Sequence, residues 1–389
     1  MDPAVETKAI TSNILLIIDP QNDFTDASFE GSPYGGTLQV SGATADYDKI
    51  VTMLNAQPEF FNEIHVSLDT HTEKHIGHPG FWKLAEGSEI PNSIYKLSID
   101  TNNIITGENI VPPEYSQGTA RTITVIPRET ELNEYVHKYL HAFKNGNNKH
   151  KQHCYIWKKH CIEGSKGHEV YKTLKSELDK ISALNADKVT YHIKGQNNLA
   201  EMYSIFSAEN PLEEADMNNE TLKKFIYTGK QTTDGENAKT YDDVKKLKNL
   251  NTQLNVPLLQ QLLGGPGDKQ NTVYICGEAK THCVKSSVID LLEYVTDYNA
   301  KNEEKYAFEK IILLKDATSP IPGTDNDIEQ IVETDYKSKL MDTTSVGTPL
   351  SNGGSRKKRR TAKSRSRNNK KSSKNRSSKN KKSRSRKIR

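Results

Sequence analysis

Short apolar runs alternate with longer segments of helical periodicity along most of this sequence. Apolar runs of strand length, separated by stretches with apolar residues three and four positions apart, are typical of βα units. The pattern predicts an α/β protein with three layers, α/β/α, around a central, mostly parallel sheet of six strands. The predicted strands are Ile14–Ile18, Ile64–Leu68, Cys154–Trp157, Val189–Ile193, Val273–Cys276 and Ile311–Leu314. The predicted helices are Asp46–Ala56, Glu131–Phe143, His168–Ser182, Val256–Leu263, Val284–Val295 and Asn326–Lys339.

Two long stretches, residues 84–130 and 207–252, interrupt this alternation. The first holds Pro112 and Pro113 among many Asn and Thr residues, and the second is rich in Asn, Glu and Lys. Because loop-closure entropy grows only logarithmically with length, residues added at a loop cost little stability. We therefore predict one folded domain over residues 1–345, with these two stretches as insertions.

The C-terminal end differs from the rest of the chain in composition. From about Thr343 it consists of Ser, Gly and Asn and then of Lys and Arg, with too few apolar residues to offset the entropy of ordering. Residues 356–389 hold 19 Lys and Arg and no acidic residue, which leaves 35 basic against 50 acidic residues elsewhere. We predict that residues 346–389 form a disordered basic tail. Its candidate partners, through residues 356–389, are nucleic acid, bound without sequence preference, or an import receptor.

The remaining bulk features concern location. None of the four cysteines forms a CxxC pair, so a disulfide scaffold is not indicated. The first residues are polar and acidic, unlike a signal peptide, and no apolar run approaches the roughly 18 residues of a membrane span. These features predict an intracellular protein, cytoplasmic or nuclear, that is not secreted and has no membrane partner. They leave a homo-oligomer open.

Polar residues follow the first two predicted strands. Asp19 comes directly after the first strand, and Asp69, His71 and His75 come after the second. In open α/β sheets ligands bind at the carboxyl ends of the strands, and alternation puts Asp69 and His71 on one side. Each residue also has an ordinary interpretation, because an aspartate at a strand end commonly forms a turn or cap and loop histidines are usually solvated.

The later strands add three more candidates. His160 follows the third strand, and with Asp69 and His71 it completes a plausible ligand set for Zn²⁺, Fe²⁺ or Mn²⁺. Lys194 ends the fourth strand, where a lysine is usually a surface charge. Cys283 begins a predicted helix, whose positive dipole end favours the thiolate. The alternative for Cys283 is a small buried hydrophobic side chain.

Six sequence fragments, in this order, resemble the isochorismatase-like cysteine hydrolases and, among them, nicotinamidases most. They are IDPQNDF, GGTLQVSGA, LDTHTEKHI, W-x-x-HC-x-x-GS-x-G, IKGQNNLAEMYSIF and GEAKTHCV. The resemblance covers about residues 13–82, 153–206 and 271–320. It does not extend to the two insertions or the tail.

The resemblance implies a role for each matching residue. Asp19, Lys194 and Cys283 would form the catalytic triad, with the N–H groups of Ala279 and Cys283 as the oxyanion hole. The bond between Glu278 and Ala279 would be cis. The other implied residues are Asp69, His71 and His160 as metal ligands, His75 near the metal, and Phe24, Trp157 and Tyr203 as the lining of the substrate pocket.

The activity implied is hydrolysis of a small carboxamide through a cysteine thioester, with nicotinamide converted to nicotinate and ammonia. The cofactor implied is a divalent metal, with Zn²⁺ the first choice and Fe²⁺ or Mn²⁺ as alternatives. The turn before Cys283 departs from the family pattern at Glu278 and Thr281. Two alternatives therefore stay open: hydrolysis of another small amide, ureide or carbamoyl compound, and a nucleic-acid-associated protein that retains the fold.

Overall fold

A computed structural model describes residues 11–110, 122–144, 150, 152–226, 250–321 and 328–347. All of the predicted basic tail after residue 347 lies outside the described residues, as do residues 227–249 of the second predicted insertion. The division into residues 1–345 and 346–389 therefore stays a prediction.

The strands are β1 (Asn13–Ile18), β2 (Glu63–Asp69), β3 (Trp82–Leu84), β4 (Tyr95–Ile99), β5 (Ile105–Asn109), β6 (Thr122–Pro127), β7 (Tyr155–Ile156), β8 (Val189–Lys194), β9 (Thr272–Gly277), β10 (Ile311–Leu314) and β11 (Lys339–Met341).

The helices match five of the six predicted segments closely. They are α1 (Ala43–Ala56), α2 (Asn133–Lys144), α3 (Lys172–Leu184), α4 (Glu214–Asn218), α5 (Glu220–Ile226), α6 (Val256–Leu263), α7 (Cys283–Lys301) and α8 (Ile328–Gln330). The sixth prediction, Asn326–Lys339, is wrong at its C-terminal end, because α8 continues only through a π-helical turn at Ile331–Asp335 and strand β11 begins at Lys339. Its first two residues lie outside the described residues. No helix of the described part is long and apolar enough to cross a membrane.

The main sheet has six parallel strands in the order β11-β10-β9-β1-β2-β8. The predicted central parallel sheet is thereby confirmed, but its membership was predicted wrongly at one strand. Cys154–Trp157 does not join it, and Lys339–Met341 supplies the sixth strand instead. The central strand β1 is buried on both faces from Ile14 to Ile18, which explains its uninterrupted apolar sequence.

The order of the strands along the chain sets the positions of the helices. The connections from β1 to β2 and from β2 to β8 run toward one edge of the sheet, whereas those from β8 to β9 and from β9 to β10 run toward the other. Because such crossovers are right-handed, α1 and α3 lie on one face of the sheet and α6 and α7 on the opposite face. This arrangement is the predicted order of layers, α/β/α.

A second, antiparallel sheet arises largely from the segment that was predicted as the first insertion. Its strand order is β3-β6-β5-β4-β7, and helix α2 packs against β4 and β6. The sequence did not predict these strands, since their short apolar positions are interleaved with Asn and Thr. A separate cluster of buried side chains, which includes Trp82, Tyr95 and Val125, fills the space beneath this sheet.

Strand β7 lies between the two hydrophobic cores. Tyr155 and Trp157 belong to the core of the main sheet, while Cys154 and Ile156 belong to the core of the second sheet. This division follows from the strand period of two, which turns successive side chains to opposite faces. The short strand therefore holds aromatic residues of one core in place through its packing in the other.

Candidate active site

The carboxyl ends of β9, β1 and β8, with β2 between the last two, bring the predicted triad together. Asp19 follows β1, Lys194 is the last residue of β8, and Cys283 begins α7 after the turn that leaves β9. Asp69, the last residue of β2, pairs with Lys194 across the two strands. All four side chains are buried.

The ammonium group of Lys194 contacts three of the predicted functional groups. Its Nζ lies 2.9 Å from Asp19 Oδ2, 3.0 Å from Asp69 Oδ1 and 3.6 Å from Cys283 Sγ. Nζ also donates to the carbonyl oxygen of Met202 at 3.1 Å. Burial alone would lower the pKa of Lys194, but the charges of Asp19 and Asp69 outweigh it and raise that pKa well above its usual value. The lysine is therefore a buried, permanent positive charge, and the interpretation as a surface residue is wrong.

Asp19 is held on several sides. Ser67 Oγ donates to Asp19 Oδ1 at 2.6 Å and accepts from the Asp19 N–H at 3.0 Å. The backbone of Asp19 has a φ of +43°, which non-glycine residues rarely adopt. Burial raises the pKa of the Asp19 carboxyl, and the charge of Lys194 opposes this rise. A carboxylate with a raised pKa is a stronger proton acceptor than an exposed one.

The Cys283 thiol lies beside the charged pair of Lys194 and Asp19. Its Sγ is 3.6 Å from Lys194 Nζ, and Lys194 also contacts the Asp19 carboxyl. Burial raises the pKa of the thiol well above its usual value, although Lys194 lowers it. The arrangement favours a neutral thiol next to a carboxylate, so Cys283 would lose its proton to Asp19 as it reacts. This differs from the resting thiolate that the helix N-terminus suggested.

Two backbone N–H groups at the turn before α7 have no hydrogen-bond partner within the described residues. The bond between Glu278 and Ala279 is cis, as the resemblance implied. Within the described part of the chain, neither the N–H of Ala279 nor that of Cys283 donates a hydrogen bond, although the Ala279 carbonyl accepts from His282 and Val284. The two groups are therefore available to an external acceptor beside the thiol.

The two residues that depart from the family pattern in this turn are engaged elsewhere. Glu278 Oε2 accepts from the Ser319 N–H at 3.1 Å, and burial raises the pKa of this carboxyl well above its usual value. Thr281 Oγ1 accepts from the Ile321 N–H at 3.1 Å and lies 2.9 Å from His282 Nδ1. Both side chains thus bind neighbouring parts of the protein.

Asp69 joins the triad to a group of buried histidines. Its Oδ1 faces Lys194, and its Oδ2 lies 2.9 Å from His71 Nε2 and 3.4 Å from His160 Nε2. The other ring nitrogens are oriented by carbonyls, since His71 Nδ1 is 2.8 Å from Gly195 O and His160 Nδ1 is 2.8 Å from Lys158 O. These contacts leave the Nε2 atoms of both histidines facing Asp69, as metal ligands require.

Gly195 allows the triad and the histidines to approach each other. Its φ is +78°, and a Cβ at this position would lie 2.7 Å from Asp69 Oδ1 and 2.7 Å from His71 Cε1. A larger residue after Lys194 would collide with both groups. The structure therefore explains why glycine follows Lys194, which the sequence alone did not.

Sequence reasoning missed two candidate ligands in or beside the histidine group, His78 and Glu201. The ligand atoms of His71, His78 and His160 lie within 4.8 Å of one another, and so do those of His71, His75 and Glu201. The spacing of three histidines within eight residues, from His71 to His78, was the available signal for His78. Glu201 carried no such signal, because it lies in a loop after β8. Burial lowers the pKa of His75 and of His78 well below the usual value, so both are neutral imidazoles that can ligate.

The three predicted pocket residues separate into two places. Trp157 Nε1 donates to the Tyr203 hydroxyl at 3.1 Å, and the ring of His282 lies 4.9 Å from that of Trp157 and 5.1 Å from that of Tyr203. Phe24 lies instead beside His160, with 5.6 Å between ring centroids. His282, next to Cys283 in sequence, was not predicted. Burial lowers its pKa to about 3, so it is a neutral ring in this aromatic group.

Comparisons with known proteins give similarities of structure alone. No protein-family model matches the chain, and neither does any curated protein. Among solved structures it is similar to the yeast nicotinamidase Pnc1p, with a TM-score of 0.43, 16% identity and coverage of 85% of this chain and 99% of that one. It is also similar to an Acinetobacter baumannii nicotinamidase/pyrazinamidase, with a TM-score of 0.43, 14% identity and coverage of 87% of this chain and 99% of that one. A third similar structure is an N-carbamoylsarcosine amidase from Thermoplasma acidophilum, with a TM-score of 0.37, 12% identity and coverage of 85% of this chain and 96% of that one. At these values the similarities do not identify the activity of this chain.

Proposed function

We propose that this protein is a metal-dependent cysteine hydrolase of the isochorismatase-like class that cleaves a small carboxamide. The proposed reaction is the conversion of nicotinamide to nicotinate and ammonia. One observation carries the proposal: the Lys194 ammonium lies within 3.6 Å of the Cys283 thiol while it also contacts Asp19 at 2.9 Å. A nucleophile, a general base and a fixed positive charge in mutual contact are what a thioester mechanism requires.

The proposed reaction begins with a proton transfer. Asp19 takes the proton of the Cys283 thiol as the sulfur attacks the carboxamide carbon. The resulting oxyanion accepts hydrogen bonds from the N–H groups of Ala279 and Cys283. Asp19 then gives the proton to the departing ammonia. Water next attacks the thioester, and Asp19 takes a proton from that water and returns it to the sulfur, while Lys194 stabilises the carboxylate between steps.

The histidine group fits a divalent metal. It combines buried imidazoles with the Asp69 carboxylate, and the Glu201 carboxyl beside it has a buried oxygen, Oε2, without a partner in the described structure. In the proposal Asp69, His71 and His160 hold the metal, with Zn²⁺ the first choice, and His75 supports them. The bound metal would supply a Lewis-acid site that orients the substrate.

Ammonia release from a matched pair of amides tests the proposed function. The flat faces of Trp157 and Tyr203 suit an aromatic ring, so nicotinamide should exceed cyclohexanecarboxamide by about 100-fold or more in kcat/KM. Trp157→Leu should reduce that ratio by at least about tenfold. Equal or inverted rates would instead favour another small amide, ureide or carbamoyl compound. No ammonia from any of these compounds with metal-loaded protein would refute the hydrolase.

A further inference from the structure

A second group of buried charges lies apart from the candidate active site. The imidazole of His150 stands between two carboxylates, with Nδ1 2.8 Å from Glu209 Oε1 and Nε2 2.7 Å from Asp290 Oδ1. All three side chains are completely buried. The ring can donate to two ionised carboxylates at once only as the imidazolium. Burial alone would lower the pKa of His150, but the Glu209 and Asp290 charges raise it to about 10.

Two serines complete this group. Ser286 Oγ donates to Glu209 Oε1 at 3.0 Å, and Ser207 Oγ donates to Asp290 Oδ2 at 2.8 Å. Buried ions are costly unless each is paired and hydrogen-bonded, and here both carboxylates receive the imidazolium and a hydroxyl. We call His150, Glu209, Asp290, Ser207 and Ser286 the imidazolium cluster.

The imidazolium cluster occupies the same face of helix α7 as the proposed nucleophile. Ser286, Ser287 and Asp290 follow Cys283 by three, four and seven residues, the spacing that aligns side chains along one helix face. Ser287 belongs to the same contact, because its Oγ donates to the Cys283 carbonyl at 2.7 Å and accepts from the Ile205 N–H at 3.1 Å.

The opposite side of this contact is the segment that also holds the catalytic lysine. Ser207 and Glu209 of the cluster lie a few residues after Met202, whose carbonyl accepts from Lys194 Nζ. The Glu209 N–H in turn donates to the Glu201 carbonyl at 2.9 Å, which closes residues 201–209 into a compact loop. One side of the cluster is therefore fixed to the Cys283 helix and the other to the loop that binds Lys194.

The chain around His150 contacts the same helix at a second point. Gln152 Nε2 donates to the Thr281 carbonyl at 3.0 Å, in the turn directly before Cys283. Residues 150 and 152 lie between α2 and β7. The turn before α7 is thus bound by Gln152, and the second turn of α7 is bound at Asp290 by His150.

We propose that His150 is a positioning residue: its imidazolium fastens the Cys283 helix to the loop 201–209 and so fixes the approach of Cys283 to Lys194. The effect on turnover rests on the proposed hydrolase function, whereas the effect on the thiol does not. Without the imidazolium, Glu209 and Asp290 repel each other across the contact, and the helix moves relative to Lys194. A displacement of about 1 Å at such a pair lowers rates by as much as about 100-fold.

The experiment compares full-length His150→Gln with His153→Gln, which changes an exposed histidine of the same segment. Alkylation of Cys283 by iodoacetamide at neutral pH is followed by peptide mass mapping, and kcat and KM are measured for nicotinamide. We expect His150→Gln to slow the alkylation of Cys283 by about fivefold or more and to lower kcat by about tenfold, with KM within about twofold. His153→Gln should change none of these values by more than about twofold.

A purely structural role predicts a different result. His150→Gln would then lower Tm while the folded variant alkylates at the wild-type rate, and this outcome would overturn the proposal. If His150→Gln does not fold, Ser286→Ala keeps the imidazole and removes one hydroxyl donor, and an unchanged alkylation rate there would overturn it equally. A wild-type protein without amidase activity, but with slowed alkylation in His150→Gln, would refute the hydrolase and retain the positioning role.

Discussion

Two buried clusters in this protein each place one cation between two carboxylates. Lys194 lies between Asp19 and Asp69, at 2.9 and 3.0 Å, and His150 lies between Glu209 and Asp290, at 2.8 and 2.7 Å. The charge balance is the same, and so is the burial. The surroundings differ. In the imidazolium cluster each carboxylate binds a serine hydroxyl. Around Lys194, Asp19 also binds a serine hydroxyl, that of Ser67, but the Cys283 thiol lies nearby, and Asp69 faces imidazoles.

That difference separates the Lys194 cluster, which has the groups for a reaction, from the imidazolium cluster, which can only hold parts of the protein together. In the proposed mechanism Asp19 and Cys283 exchange a proton, and Asp69, which shares Lys194 with Asp19, contacts His71 of the proposed metal site. The imidazolium cluster contains no nucleophile, and its ionic groups bind one another. Burial and perturbed pKa values alone therefore do not distinguish a catalytic group from a structural one, and the neighbouring groups do.

Loss of the nucleophile should give the largest difference between the two clusters. Cys283→Ala should abolish turnover, by about 10⁴-fold or more, because no other group in the site can form the thioester. Folding and metal content should remain, since only a small thiol is removed. Steady-state ammonia release, circular dichroism and metal analysis measure these effects. Cys276→Ala serves as the control and should keep its activity. Turnover by Cys283→Ala would show that the nucleophile is elsewhere.

Removal of the imidazoles that face Asp69 should affect the candidate active site and leave the imidazolium cluster unchanged. The double variant His71→Ala, His160→Ala should lose its bound divalent metal and raise the apparent KM by about tenfold or more. Metal content per chain by plasma mass spectrometry checks the first effect independently of activity. His78→Gln distinguishes the two ligand sets, because only the set of His71, His78 and His160 depends on it. Stoichiometric metal in the double variant would contradict the site.

The imidazolium cluster should affect the stability of the protein as well as the position of Cys283. The pKa of His150 is raised from 6.5 to about 10 in the folded protein, so its stabilisation is complete below about pH 6.5 and is lost as the pH rises through about 10. At pH 7 His150→Gln should lower the free energy of unfolding by about 3 kcal/mol. Urea unfolding at pH 7 and at pH 10 should show the gap between wild type and variant narrowing. A gap that widens with pH would mean that His150 is neutral in the folded state.

Removal of the tail should have the smallest effect on catalysis. Deleting residues 350–389 takes away charges that belong to neither cluster, so kcat/KM should stay within about twofold. Binding to nucleic acid at low salt should disappear, because uncompensated Lys and Arg bind polyanions through counterion release. Fluorescence anisotropy with a labelled oligonucleotide, with and without added salt, measures this. Tail-independent binding by a chain without amidase activity would favour the nucleic-acid-associated alternative.

Sequence patterns could predict five strands of the main sheet because these strands are mostly apolar and most of them run into a polar turn. Ile14–Ile18 is the clearest case, as a strand buried on both faces. The second sheet was not predictable in the same way, because β4 and β5 alternate with Thr, Asn and Lys and are held by pairing between strands rather than by their own composition. The placement of Cys154–Trp157 failed for a related reason, since an apolar run does not indicate which sheet it will join.

Within the site, residues that end strands were predictable and residues that loops bring in were not. Asp19, Asp69 and Lys194 could be placed together because parallel strands share one carboxyl edge. Glu201 and His282 reach the same region through loop geometry, which has no sequence period. The protonation of Cys283 was also beyond the sequence, because the helix dipole favours a thiolate while complete burial, visible only in the fold, opposes it.

The position of β7 between the two cores has a consequence for folding. Tyr155 and Trp157 can dock on the main sheet only while Cys154 and Ile156 are seated beneath the second one. Neither core can be complete without the other, so the described body should melt in one cooperative transition rather than in two steps. Destabilising mutations in the antiparallel sheet would then lower the population of molecules with an intact aromatic pocket, far from where they are made.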